Sequence, residues 1–299
     1  MNNAHPGLPE FDYVKPGSLA EASQFLAENA GRARPFLGGT DVFVRMRDGF
    51  WPSDYLVDVK HLDGTDELRF DPAFGLTIGA GVNMNRVITS PEVSEHYPLL
   101  VEACRTVASY QLRSRATIVG NICNASPAGD TIGACLVLGG ILTVHGVDGF
   151  RQEPLERFFV GPGTTTLDAG DIVTSVVFPI PPPSNAGKYI KLGRNLVGDL
   201  AIVGVSVFGY PDSSQPSGYR FRIALASVAP IPLLVHEAEM ILANQPIDEA
   251  TIAKAAVAAM DACNPIDDVR GSARYRKLMV RNLTRKAVSQ VYKDLTGMA

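Results

Sequence analysis

Apolar and polar residues follow helical and strand periods in the early part of the chain. Apolar residues of LAEASQFLAEN recur at helical spacing after a capping box that begins at Ser18, which predicts a helix at about 18–29. The run RPFL (Arg34–Leu37) predicts a short buried strand, GGTD a turn, and DVFVRMRDG a helix that ends at Gly49. A second strand at Tyr55–Val59 would complete a compact β-α-β unit.

The middle of the chain mixes short strands, glycine turns and a long apolar run. Alternation between Leu68 and Gly81 predicts a hairpin, and HYPLLVEACRTVAS predicts a helix with one apolar face. The segment ATIVGN (Ala116–Asn121) has a strand-like pattern with a turn at Gly120, and NASPAGD continues as a loop. The apolar run Ile132–Gly146 predicts a buried helix followed by a buried strand, and DIVTSVVFPI predicts a further strand.

A proline run divides the chain. The segment PIPPPSNAGK (Pro179–Lys188) has the composition of a linker. Beyond it, AIVGVSVFGY and YRFRIALASVA predict two strands joined by a hairpin loop, and the alanine-rich part from Leu233 to Met298 predicts three helices. The predicted fold class is α+β, with two lobes at 1–60 and 61–180 and a sheet-plus-helices domain at 181–299.

Composition and charge exclude several classes of partner. Lys plus Arg number 27 against 31 Asp plus Glu, a net charge of −4, so neither nucleic acid nor an anionic membrane is expected. The N-terminus lacks the charged and apolar regions of a signal peptide, and the longest apolar run is shorter than the ~20 residues of a membrane span. Four isolated cysteines are typical of reduced, buried thiols. We therefore predict a cytoplasmic protein.

The usual catalytic templates are absent. The cysteines form no C-x-x-C and the five histidines are scattered, so no metal or iron–sulfur site is predicted in this chain. Neither G-x-G-x-x-G nor G-x-x-x-x-G-K-[ST] occurs, and Ser206 lacks the second glycine of a nucleophile elbow. An enzyme that used its own side chains for bond making would leave a clearer pattern, so no residue is predicted to be catalytic.

Two glycine-bearing segments remain as candidates for ligand binding. In Arg34–Asp41 a strand runs into two glycines before a helix start, where backbone N–H groups can approach an anion. The structural alternative is a tight turn in which Asp41 caps the helix. In Thr117–Asp130 small residues with short polar side chains can surround a sugar-bearing polyanion, the alternative being an exposed loop held by Asx turns. Together the two segments favour a nucleotide site that is not of the Rossmann type.

Six motifs occur in a recognisable order: FLGGTD, VASYQLRSRATIVGN, NASPAGD, TTTLDAGDIVTSVVFPIP, KYIKLGRNLVGDLAIVGVSV and PIDDVRGSARYRKLMVRNL. In this order they resemble the FAD-binding medium subunits of molybdenum hydroxylases, the family of xanthine, carbon monoxide, nicotine and caffeine dehydrogenases. The resemblance extends from about Phe11 to the end of the chain. It implies a two-lobed FAD-binding fold of the PCMH/vanillyl-alcohol-oxidase type, followed by a C-terminal domain.

The resemblance also implies where FAD would bind. The first loop would hold the diphosphate through its amides, and it comprises Arg34, Pro35, Phe36, Leu37, Gly38, Gly39, Thr40 and Asp41. The second loop would clamp the other side of the diphosphate, and it comprises Ala116, Thr117, Ile118, Gly120 and Asn121. The remaining contacts implied are Val107 and Ala108 against the flavin or its ribityl chain, Asp130 on FAD hydroxyls, and Ile172 and Val173 in the adenine or flavin pocket.

Lys191 matches a lysine of the family that lies close to the isoalloxazine ring. A cation there would stabilise negative charge on the reduced ring and so tune its potential. Taken without the resemblance, Lys191 would be a strand-edge lysine facing water. A departure from the family occurs at Val119, where the usual T-I-G-G-N has glycine, and either an extended backbone or a locally different loop would follow.

The resemblance implies partners as well as a cofactor. FAD would be carried by this chain, whereas molybdopterin and two 2Fe–2S clusters would belong to a large and a small partner subunit in a heterotrimer or a dimer of heterotrimers. Electrons would pass from the clusters through FAD to a terminal acceptor. The alternatives are a stand-alone flavoenzyme with its own substrate site and a scaffold subunit that has lost its flavin. Neither the organic substrate nor the acceptor follows from this sequence.

Overall fold

The fold is that of a computed structural model, in which residues 7–195 and 198–297 are described. The strands are β1 Asp12–Val14, β2 Ala33–Phe36, β3 Tyr55–Asp58, β4 Leu68–Asp71, β5 Gly75–Gly79, β6 Ile141–Gly146, β7 Gly149–Pro154, β8 Phe159–Gly161, β9 Thr164–Thr165, β10 Ile172–Phe178, β11 Ala186–Leu192, β12 Val203–Pro211, β13 Tyr219–Ala226 and β14 Leu233–Leu234. The helices are α1 Leu19–Glu28, α2 Val42–Arg47, α3 Met84–Thr89, α4 Pro91–His96, α5 Pro98–Arg105, α6 Tyr110–Arg113, α7 Ile118–Cys123, α8 Ile132–Val137, α9 His236–Asn244, α10 Glu249–Asp261 and α11 Ala273–Thr296.

The N-terminal part is a small parallel sheet in the order β1-β3-β2. The predicted β-α-β unit is confirmed, because β2 and β3 pair in parallel with α2 between them. At the start of α1, Ser18 Oγ accepts from the Glu21 amide at 3.1 Å, as a capping residue should. The Glu21 carboxylate accepts from the Gly17 amide at 2.7 Å, so the capping box closes one residue before Ser18. Strand β1, which the sequence pattern did not predict, completes the sheet.

The central part is an antiparallel sheet in the order β4-β5-β10-β6-β7. The hairpin predicted between Leu68 and Gly81 is confirmed as β4 and β5, and the buried helix-to-strand run is confirmed as α8 and β6. The sheet, together with α5, α7 and α8, encloses the largest apolar core. Tyr97 and Phe178 are large, fully buried side chains of this core, and the Tyr97 hydroxyl donates to Pro179 O at 3.0 Å.

One prediction for this part is wrong. The segment ATIVGN is not a strand with a turn at Gly120, because its last residues form the first turn of α7. Thr117 caps this helix, and Ile118, Val119 and Ile122 are buried on it, so tertiary packing overrides the strand preference of β-branched residues. The helix with an apolar face predicted at HYPLLVEACRTVAS is confirmed as α5, which begins at Pro98 and ends at Arg105, inside the predicted range.

The C-terminal part is an antiparallel sheet in the order β11-β12-β13-β14, covered by helices. The two strands predicted after the prolines are β12 and β13, and three helices lie between Leu233 and Gly297, as predicted. Helix α8 of the central part packs against β12 and β13. The α+β fold class is thus confirmed, whereas the division at 1–60, 61–180 and 181–299 stays an interpretation. Of these ranges, residues 1–6, 196–197 and 298–299 lie outside the described residues.

Candidate functional site

The two glycine-bearing segments meet in the fold. We call Gly38–Asp41 the glycine bend and Ala116–Asn121 the capped segment. A Cβ atom built on Gly38 would lie 2.1 Å from the carbonyl oxygen of Arg115, so the two backbones are in direct contact. A Cβ atom on Gly120 would lie 3.9 Å from Leu37 Cδ1. Strand β2 and helix α7 therefore bring the two segments together as the sequence led us to expect.

The glycine bend presents free amide groups. Gly39 has φ +74°, a left-handed conformation that costs an L-residue about 1–2 kcal/mol. The amides of Gly39, Thr40 and Asp41 donate to no acceptor among the residues that the structure describes. Asp41 precedes α2 but its side chain makes no capping bond, so the alternative of a turn capped by Asp41 is wrong in that respect. The bend is left with donors that an anion can use.

The capped segment is built differently from the expected loop. Thr117 Oγ1 accepts from the Gly120 amide at 2.9 Å, and Thr117 O accepts from the Asn121 amide at 3.0 Å. The Val119 amide has no acceptor in the described part of the chain, and Thr117 forms an isolated antiparallel bridge with Asn83. Val119 is helical and has no positive φ, so valine can replace the family's usual glycine there without backbone strain.

A cleft of about 530 Å³ opens between the two segments. That volume falls within the range of small-molecule and cofactor sites. The predicted site residues that line it are Arg34, Pro35, Leu37, Gly38, Gly39, Thr40, Asp41, Val107, Ala116, Thr117, Gly120, Asn121, Ile172 and Val173. One cleft thus collects residues from four separate stretches of the chain.

The other predicted residues are not part of the cleft lining. Phe36 and Ile118 are buried, and the Phe36 ring packs against the backbone of Gly39. Ala108 has φ +40° in the turn after Val107, a strained conformation for a residue with a Cβ atom. Arg113 holds this turn, since its Nη1 donates to Val107 O at 2.7 Å.

Asp130 and Lys191 form a buried ion pair outside the cleft lining. Lys191 Nζ lies 2.7 Å from Asp130 Oδ2, and it also donates to Thr106 O at 3.1 Å, directly before Val107. The Tyr189 hydroxyl donates to Asp130 Oδ1 at 2.7 Å. Burial raises the pKa of Asp130, against the lowering effect of Lys191. The lysine side chain is 12% exposed, so it does not face water although β11 is an edge strand.

Two buried polar atoms of the cleft lining lack hydrogen-bond partners among the described residues. They are Arg34 Nε and Asn124 Oδ1. Burial lowers the pKa of Arg34, and no carboxylate offsets this effect. Buried polar groups are normally paired, so orphans in a cleft indicate a polar ligand. Free amides, an unpaired guanidinium and a cradle of glycines fit a dinucleotide such as FAD.

Several lining residues were not predicted. They are Leu26, Ala30, Gly31, Ala33, Val42, Trp51, Val59, Met84, Leu112, Val119, Cys123, Asn124, Gly163, Thr165, Leu167, Asp168, Ala169, Gly170 and Asp171. Most are small or apolar residues without a motif of their own. Three signals were available in the sequence: Asn124 stands in the quoted NASPAGD loop, Trp51 is the single tryptophan of the chain, and the quoted motif TTTLDAGDIVTSVVFPIP contains the lining residues between Thr165 and Asp171.

Gly38→Ala should weaken FAD binding by about tenfold or more. The added methyl group would meet the Arg115 carbonyl and push the glycine bend away from the capped segment, and 1.4 kcal/mol corresponds to tenfold in affinity. Titration of the apoprotein with FAD measures the effect. Gly7→Ala, at a position where nothing lies within 4 Å, is the control. Unchanged affinity in Gly38→Ala would show that the contact between the segments is not needed.

Comparisons with known proteins identify the family of this chain. Residues 9–181 match the family described as the FAD-binding domain in molybdopterin dehydrogenase, and residues 188–291 match the CO dehydrogenase flavoprotein C-terminal domain. The carbon monoxide dehydrogenase medium chain of Hydrogenophaga pseudoflava is 28% identical over 95% of this chain and 98% of its own length. A putative xanthine dehydrogenase FAD-binding subunit of Escherichia coli is 27% identical over 93% and 94%.

Solved structures give the same result. A chain of carbon monoxide dehydrogenase from Hydrogenophaga pseudoflava superimposes with a TM-score of 0.91, covering 96% of this chain and 98% of its own at 28% identity. A chain of quinoline 2-oxidoreductase from Pseudomonas putida 86 gives 0.88 at 26% identity, with 98% and 99% covered. The chain belongs to the family of FAD-binding subunits of molybdopterin-dependent dehydrogenases.

Proposed function

We propose that this chain relays electrons from the 2Fe–2S clusters of a small partner subunit, through its own FAD, to a terminal acceptor. In this proposal a large partner subunit with molybdopterin oxidises the organic substrate. Several relatives are named as a medium chain or a subunit of a complex, which supports a multi-subunit assembly. The heterotrimer and the cytoplasmic location stay predictions. Among the described residues, no helix has both the length and the apolar character of a membrane span.

The chemistry of the cleft lining carries the proposal. Its titratable residues are Arg34, Asp41, Cys123, Asp168 and Asp171. Burial raises the pKa of the Cys123 thiol to about 12, and Arg151 holds the Asp171 carboxylate in two hydrogen bonds. No histidine, lysine, glutamate or tyrosine lines the cleft within the described ranges. A stand-alone flavoenzyme would need a proton donor beside the flavin, so this lining favours a relay.

The chain's residues would orient the cofactor and shield it. The bound FAD would supply the redox chemistry, since it exchanges single electrons as well as pairs. The turn at Val107, held by Arg113, and the apolar side chains of Met84 and Leu112 would surround the ring end. The amides of the glycine bend and the capped segment would neutralise the diphosphate.

A complex reconstituted with both partner subunits tests the relay. Reducing equivalents delivered through the partners should reach a soluble acceptor only when this chain holds FAD. When FAD is removed, the iron–sulfur absorbance should still bleach while reduction of the acceptor stops. Turnover of an organic substrate by this chain alone, or unchanged acceptor reduction without FAD, would contradict the proposal.

Substitutions of Lys191 and Asp130 should shift the FAD reduction potential in opposite directions. Lys191→Met should lower the potential, because a cation near the ring favours the reduced, anionic form. Asp130→Asn should raise it, because the lysine charge would no longer be neutralised. A shift of about 30 mV corresponds to 1.4 kcal/mol for a two-electron couple, and this is the size expected for each variant.

The potential is measured by dye equilibration of the reconstituted complex. Lys188→Met is a matched control, because Lys188 stands on the same strand and pairs with Glu102 instead. Lys188→Met removes the same positive charge as Lys191→Met and should leave the FAD potential unchanged. Equal shifts of the FAD potential in Lys191→Met and Lys188→Met would show that Lys191 does not lie beside the flavin.

A further inference from the structure

The cleft has two chemically different ends on either side of the two segments. The end at Val107 and Leu112 is apolar and lies next to the Thr106 carbonyl that Lys191 contacts. Ala30, Gly31 and Trp51 also line the cleft, and they belong with the other end because Trp51 contacts Arg34 in β2, whereas the glycine bend follows the C-terminal end of that strand. Arg34 is the second residue of β2 and stands four residues before Gly38, a span of at most about 13 Å for extended backbone.

A guanidinium–indole stack forms the wall of this second end. The Arg34 guanidinium lies 4.6 Å from the centroid of the Trp51 ring, and the Arg45 guanidinium lies 5.4 Å from the same centroid. Such cation–π contacts hold the planar groups in fixed positions. Arg34 Nε is buried without an acceptor in the described part of the chain, so this stack has a donor left for a ligand.

The function proposed above places a ligand with a planar base at each end of a diphosphate in this cleft. An isoalloxazine ring that exchanges electrons suits the apolar end beside Lys191, which leaves the adenosine half for the other. Adenine is planar and carries several hydrogen-bond acceptors, so it suits both a stacked ring and the free Arg34 Nε. The small residues Ala30 and Gly31 leave room for it.

We propose that Trp51, held by Arg34, is the residue that recognises the adenosine half of FAD and makes the chain select a dinucleotide over FMN. This inference rests on the proposed function and extends it to a residue that belongs to none of the six motifs. Trp51 contributes contact area at the second end, and Arg34 contributes a hydrogen-bond donor. FMN lacks the adenosine half and gains nothing from either residue.

The single tryptophan makes the contact directly measurable. Because the chain has 1 Trp, tryptophan emission of the apoprotein reports on Trp51 alone. ADP carries the adenosine and the diphosphate but does not absorb the emitted light. We expect ADP to change the emission and to compete with FAD, and we expect inorganic pyrophosphate to compete without changing the emission.

Variants separate recognition from folding. Trp51→Leu should weaken FAD and ADP binding by about tenfold, the lower part of the range for an aromatic ring stacked on a base, and leave FMN affinity unchanged. Trp51→Phe should restore most of the FAD affinity. Phe50→Leu is the matched control, since Phe50 also contacts Arg45 but is 67% exposed and outside the cleft lining.

Three outcomes would overturn the inference. The first is competition of ADP with FAD without any change in emission. The second is wild-type FAD affinity in Trp51→Leu, and the third is a loss of FMN affinity in that variant equal to the loss of FAD affinity. If the wild-type apoprotein binds no FAD at all, the proposed function fails instead, so the two failures are distinguishable.

Discussion

Gly39→Trp should lose FAD while the remainder of the fold stays intact, and this is the largest effect on binding that we expect. Gly39 has φ +74°, and a Cβ atom there would lie 2.7 Å from the Phe36 ring and 3.2 Å from the Phe43 ring. The indole would have to displace these two rings, which lie against the glycine bend, and would move the amides that would hold the diphosphate. We expect at least about a hundredfold loss of affinity, which corresponds to 2.7 kcal/mol.

The measurement is FAD occupancy of the purified protein, together with titration of the apoprotein. Gly218→Trp is the matched control, because Gly218 has φ +79°, has nothing within 4 Å of its Cβ position and lies in the hairpin between β12 and β13. It carries the same backbone strain and the same side chain without filling the cleft. Full occupancy in Gly39→Trp would mean that the diphosphate does not bind at the glycine bend.

Arg276→Met should lower the free energy of unfolding by about 3–5 kcal/mol, the largest effect on stability that we expect. Arg276 is 1% exposed, and its guanidinium donates to Ile202 O at 3.0 Å, Ser227 O at 2.9 Å and Asp268 Oδ1 at 2.6 Å. Without this guanidinium the two carbonyls lose their donor. The Asp268 carboxylate keeps its ion pair with Arg270 but loses the one with Arg276. The pKa of Asp268, which burial would raise, is held below its usual range by hydrogen bonds from Arg270 and Arg276.

The loss of stability in Arg276→Met should extend toward the cleft. Ser227 donates its amide to Pro127 O at 2.7 Å, and Pro127 belongs to the NASPAGD loop. Urea denaturation measures the change in stability. Arg281→Met, at an exposed position of the same helix, should change it by no more than about 0.5 kcal/mol. A loss in Arg276→Met as small as that of the control would show that the buried guanidinium contributes nothing net.

Motifs with a local physical cause were predicted correctly from the sequence. The cap at Ser18, the hairpin at β4 and β5 and the helix-to-strand run at α8 and β6 depend on neighbours within a few residues. Gly38 and Gly39 were also identified as a bend, because glycine is the residue that such a backbone requires.

Predictions failed where distant residues decide the local structure. The β-branched residues of ATIVGN favour a strand, but burial of one helical face and the Thr117 cap make α7 helical. The departure from the family at Val119 has the same explanation. The backbone there is helical, and a helical backbone does not require glycine. Trp51 and Asn124 were missed because their place in the cleft depends on how α2 and α7 pack.

The sequence by itself determined the fold class, the bend at Gly38–Gly39 and, through its six motifs, the family and the cofactor. Only the tertiary structure decided that the bend touches the Arg115 backbone, that Asp130 neutralises Lys191 and that Trp51 contacts Arg34 in the cleft lining. The physical reason is the range of the interactions. Turns and caps depend on residues close in sequence, whereas contacts such as those between residues 38 and 115 or 130 and 191 exist only after packing brings separate strands and helices together.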